Sequence, residues 1–154
     1  MNKFKTIFTT IFSVIASWLG ALAIPVLLMI LSNLVDYVTG LIASKYRDEP
    51  INSYKSFRGI AKKICMWLLV IVGALVDQLI LYAGDIIGIK MPFTFLIACV
   101  VAIWIICNEL ISILENIKDI GVKLPPFLQP LVENVKKQVE EKAKVKDDEY
   151  GNKD

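Results

Sequence analysis

Apolar residues fall in long blocks along this chain, and the blocks set its elements. Residues 6–44, 64–89 and 91–117 contain no Lys or Arg. A membrane span needs about 20 predominantly apolar residues, so residues 21–44, 64–84 and 92–114 are predicted as three transmembrane helices. Residues 45–63 form a basic loop and residues 85–91 a short turn between Gly84 and Pro92. Pro92 suits the first turn of the helix it precedes. The third helix is expected to stop near Gly121, ahead of Leu124-Pro125-Pro126, because glycine accepts the left-handed conformation of a C-cap and proline cannot continue a helix. Residues 115–154 form a charged tail, sparse in Val beyond Pro130, whose last residues read as disordered or frayed and solvated.

Residues 1–20 have a different texture. Phe4, Ile7, Phe8, Ile11, Phe12, Ile15, Trp18 and Leu19 recur at helical spacing, with Thr6, Thr9, Thr10, Ser13, Ser17 and Gly20 between them. That pattern predicts an amphipathic helix with one hydroxyl-rich face, lying in the membrane interface with Trp18 near headgroup level. A fourth span bending near Gly20 and Pro25 is the alternative. Lys3 and Lys5 ahead of an apolar run imitate a signal peptide, but the run continues far past an h-region and is read as retained.

The fold class is therefore all-α, an integral membrane protein. Composition agrees: 56% of the 154 residues are hydrophobic and the mean hydropathy is +0.60. A net charge of +2 gives no basic surface for nucleic acid. There is no His, which removes the commonest general base and metal ligand. Cys65, Cys99 and Cys107 lie within apolar runs without a CxxC pair, so neither a disulfide framework nor a metal site is expected. No catalytic motif is found, and neither catalysis nor a cofactor is expected.

Basic residues orient the spans. Lys45, Arg47, Lys55, Arg58, Lys62 and Lys63 crowd the first loop, Lys90 stands alone in the second, and the tail holds eight lysines from Lys118 onward. Basic loops stay cytoplasmic, so the first loop and the C-terminus are expected on the cytoplasmic side and the N-terminus outside, although Lys3 and Lys5 oppose that placement. Lys55, Arg58, Lys62 and Lys63 serve either as a plain topology signal or as a contact for anionic headgroups.

Ionisable groups at membrane depth are candidates for function. Asp36, Asp77 and Glu109 are those groups, with no Lys or Arg expected at matching depth. Either they hydrogen-bond between helices, or they line the lumen of an assembled pore; for Asp77 a lumen or subunit contact is preferred, and for Glu109 a hydrated interfacial position. Thr9, Ser13, Ser17 and Gly20 join them as candidate oligomer contacts, because small and hydroxyl residues let helices approach closely.

Three segments carry a resemblance. Asp36-Tyr37-Val38-Thr39-Gly40 resembles an Asp-x-x-Thr-Gly element, residues 53–63 (SYKSFRGIAKK) a Ser…Gly-x-x-Lys-Lys stretch, and residues 108–125 (NELISILENIKDIGVKLP) an Asn-Glu-x-x-Ser-Ile-x-Glu-Asn…Gly…Pro segment. All three are similar to the phage holins of the toxin-secretion and lysis class, over roughly residues 31–131. The resemblance implies a homo-oligomer that opens holes in the cytoplasmic membrane, releasing a cell-wall hydrolase or a toxin and permitting host lysis. Its partners are then other copies, membrane lipid and that hydrolase or toxin. The rival readings are a small proton-coupled transporter and a membrane scaffold whose tail recruits a soluble partner.

Overall fold

A computed structural model describes residues 3–48 and 53–143, without the side chains of residues 12, 15, 16, 18, 19 and 53–56. Trp18 and Lys55, to which side-chain roles were assigned above, thus lie outside the described side chains, and the tail beyond residue 143 lies outside the described residues. Every regular element among the described residues is helical: α1 Lys3–Leu19, a 3₁₀ turn Gly20–Leu22, α2 Ala23–Tyr46, α3 Ser53–Ile87, α4 Leu96–Asp119 and α5 Leu128–Ala143. Three stretches are long and apolar enough to cross a membrane: Gly20–Tyr46, Phe57–Ile87 and Leu96–Asp119.

α4 is the centre. α2, α3 and α5 all pack on it, while α1 touches chiefly the 3₁₀ turn that follows it. Ala98, Ala102 and Ile105, on one face of α4 at helical spacing, are fully buried with Leu22, Met29 and Val70 around them. Small residues make the approach close. A Cβ on Gly73 would stand 3.0 Å from the Ala98 Cα and 3.1 Å from its nitrogen, so α3 needs glycine where it meets α4.

The outside of α2 and α3 is apolar: Leu27, Leu31, Leu34, Leu68, Ile71, Leu75 and Leu79 are all exposed. In water such a surface would drive aggregation, whereas in lipid it is the expected solvent contact.

Two glycines end helices. Gly88 has φ +76° and follows α3, with the Ile89 amide donating to the Gly84 carbonyl at 2.9 Å. Gly121 has φ +95° and follows α4, with its own amide donating to Lys118 at 2.9 Å and that of Val122 to Ile117 at 3.3 Å. Both are C-terminal caps that only glycine adopts without strain.

The helices differ from the predicted elements in three places. α3 begins at Ser53, inside the segment read as a loop, because Ser-to-Lys63 continues the helical register of the span. α4 begins at Leu96 instead of Pro92. Residues 128–143, read as part of the charged tail, form α5, folded back on α4 after the Gly121–Pro126 bend.

Candidate functional site

The three resembling segments meet in one polar cluster. α2, α3 and α4 have their ends together here: Arg47, just past α2, pairs with Asp119 at the end of α4 at 2.6 Å. Counting 1.5 Å per residue inward from Tyr46, Ser53 and Asp119 places Asp36, Lys63 and Glu109 each about 15 Å from that end. Lys63 Nζ donates to Asp36 Oδ2 at 2.9 Å and also to the carboxylate of Glu109. Asn116 Nδ2 donates to Asp36 Oδ1 at 3.2 Å and to Thr39 Oγ1 at 3.3 Å. Gly40 lies beside this amide, where a Cβ would stand at ordinary contact distance, 3.6 Å from it.

One ammonium is therefore shared by two carboxylates, with side-chain exposures of 23% for Lys63, 13% for Asp36 and 5% for Glu109. For Asp36 and Glu109 this corrects the expectation that the intramembrane acids lack a basic partner. Lys63 was placed in a loop. As part of α3 it is carried to the acids' level, its aliphatic stem crossing apolar surface to the charges. It also gives Lys63 a role beyond topology or headgroup contact. Glu109 is buried, where a hydrated position was expected. Arg58 and Lys62, from the same stretch, stand outside the cluster, Arg58 exposed and Lys62 on the outward side of α3.

Asp77 forms a second, separate site. Its carboxylate accepts the amides of Ile97 at 3.0 Å and Ala98 at 2.9 Å, the first turn of α4. Phe95, at the N-cap position, supplies no side-chain bond. Free amides and the positive end of the helix dipole make that terminus a carboxylate site. Asp77 is 6% exposed, so within one chain it is turned inward, away from the lumen or subunit contact expected of it. The helix opens with Leu-Ile-Ala and has no side-chain cap of its own, which is the signal for an acid supplied from elsewhere.

The hydroxyl face of α1 lies apart from both sites. Thr9, Thr10, Ser13, Val14 and Ser17 line an open groove. Thr9 Oγ1 donates to the Lys5 carbonyl at 2.8 Å and Thr10 Oγ1 to that of Thr6 at 2.8 Å, so these hydroxyls are satisfied within the helix. Gly20 turns the chain out of α1 with φ +50°.

Sequence reasoning named Thr39 and Asn116 only within the resembling segments, and it missed Trp104 and Glu140. Trp104 Nε1 donates to Glu140 Oε1 at 2.8 Å, tying α5 to α4. Lys136 Nζ stands 5.6 Å from the Trp104 ring centre. Among the described residues no group of three acids, cysteines or histidines could hold a metal ion.

The sequence profile of the bacteriophage holin family matches residues 13–137. An uncharacterized protein of Listeria monocytogenes is 35% identical over 113 residues, covering 73% of this chain and 72% of the relative. A probable holin of Bacillus phage phi105 is 29% identical over 122 residues, 79% of this chain and 81% of the relative. An uncharacterized 14.9 kDa protein of Clostridium perfringens is 32% identical over 124 residues, 80% of each chain. No solved structure matches.

Proposed function

The chain belongs to the bacteriophage holin family, and from that premise we propose that copies of it assemble side by side into holes in the bacterial cytoplasmic membrane. The holin role is favoured over a proton-coupled carrier or a recruiting scaffold by the profile match and the phage relative. One observation carries the assembly step. Where α2, α3 and α4 meet, the chain is filled by Ala98, Ala102 and Ile105, each 0% exposed, and by the Lys63 cluster. A passage for macromolecules must then open between chains, not through one.

In this reading the Lys63 cluster holds the three spans as one rigid unit, and the Thr9, Ser13, Ser17 and Gly20 face of α1 meets neighbouring copies. The Arg47–Asp119 end, with Lys45, Arg58, Lys62 and Lys118 near it, faces the cytoplasm by the positive-inside rule. The cargo is a cell-wall hydrolase or a toxin. Induced expression beside a cytosolic cell-wall hydrolase tests this: membrane potential should collapse abruptly and lysis follow. A membrane that stays polarised at high expression would refute it.

A further inference from the structure

We propose that α5, docked on α4, forms part of the water-facing wall of the open assembly; this rests on the holin reading above. The first observation is depth. Trp104 is about 12 Å from the Leu96 end of α4 and about 22 Å from the Asp119 end, at 1.5 Å per residue, well inside the hydrocarbon thickness. Glu140 accepts the Trp104 indole N–H at 2.8 Å and Lys136 sits over the ring, so α5 reaches that depth. Its last turn goes further: Val139, Glu140 and Ala143 share a groove with Gly73, Ile97 and Val100. That is the zone where α3 and α4 cross, far from the Arg47–Asp119 end.

The second observation is charge. α5 carries Glu133, Lys136, Lys137, Glu140, Glu141 and Lys142 within sixteen residues. Leu128, Val132 and Val139 are half-buried on the α4 side, while Asn134, Lys137, Gln138 and Glu141 form an exposed stripe at helical spacing on the other. A stripe of that composition is not tolerated against lipid chains, and charged groups at membrane depth face partners or water. A single chain embedded in lipid offers neither to this stripe. A ring of copies with α5 turned to a common aqueous interior does, and it leaves the apolar faces of α2 and α3 for lipid. The docked position of α5 is thus the position it takes when water reaches the middle of the membrane.

The test uses the full chain in two forms, one with Trp104 as its only tryptophan (Trp18→Phe, Trp67→Phe) and one with Trp67 alone (Trp18→Phe, Trp104→Phe). Each is reconstituted in phosphatidylcholine–phosphatidylglycerol vesicles containing brominated acyl chains, and release of an entrapped dextran is followed in the same sample. In leaking vesicles, brominated chains should quench Trp67, on the outer side of α3, at least about two-fold more than Trp104, which α5 shields from lipid. In a cysteine-replaced chain (Cys65→Ser, Cys99→Ala, Cys107→Ala), attaching a bulky charged maleimide to Gln138→Cys should slow dextran release. Leaking vesicles with Trp104 quenched as strongly as Trp67, or release indifferent to the label, would overturn the lumen placement alone. Vesicles that stay sealed at high protein loading would overturn the holin reading, and this inference with it.

Discussion

Lys63, on α3, bonds to one acid on α2 and one on α4. Its ammonium is the positive partner of both Asp36 and Glu109, and removing one partner of a buried ion pair typically costs about 3–5 kcal/mol, because a charge is left without compensation. Lys63→Met should therefore lower the thermal midpoint of the detergent-solubilised chain sharply. Adding Asp36→Asn and Glu109→Gln to it should recover much of the loss, since the acids are then neutral and can still hydrogen-bond. A triple variant no more stable than Lys63→Met would show that the cluster is not held by charge. The acids were legible in the sequence, as rare ionisable groups in apolar runs. Their partner was not. A lysine at the edge of a basic loop and a lysine at membrane depth differ only in where the helix begins, and α3 starts at Ser53.

The helices are joined by shape as much as by charge. Gly73 and Asp77 are one turn apart on the same face of α3; the first lets the backbone of α4 approach, and the second caps it through the Ile97 and Ala98 amides. Asp77→Ala should cost about 0.5–2 kcal/mol, the usual worth of a cap. Gly73→Leu should cost more, by pushing α3 off Ala98 and drawing Asp77 away from its amides. The two losses are then one event counted twice. The double variant should melt little below Gly73→Leu alone, a non-additivity expected of residues that share a contact; fully additive shifts would mean the two sites act independently. Span positions were readable here because apolar length is a one-dimensional signal. α5 was hidden by its charge density: Leu128, Val132 and Val139 form a sparse stripe whose meaning depends on Trp104, a residue in another helix. A thin apolar stripe in so charged a segment reads as a tail until the surface it docks on is known.

Among the described residues, three apolar helices gather the Lys63 cluster and Asp77 between them and turn apolar groups outward, α5 docks on α4, and α1 is left with few neighbours. α1 packs chiefly on the 3₁₀ turn beside it, and the Thr9 and Thr10 hydroxyls are satisfied by its own carbonyls. None of its described side chains is buried, and it presents Thr9, Ser13 and Ser17 on one side and Phe4, Ile7 and Ile11 on the other. Those properties fit an element whose work lies between copies. Deleting residues 3–19 should leave the helical signal per residue and the thermal midpoint of the solubilised chain nearly unchanged, because none of the buried residues described at the α2–α3–α4 junction belongs to α1. The same deletion should delay or abolish the collapse of membrane potential in expressing cells, and crosslinking should recover smaller oligomers than from the full chain. Two results would contradict this division of labour. A truncated chain that melts early would place α1 in the fold of the monomer, and one that permeabilises on schedule would take it out of the assembly.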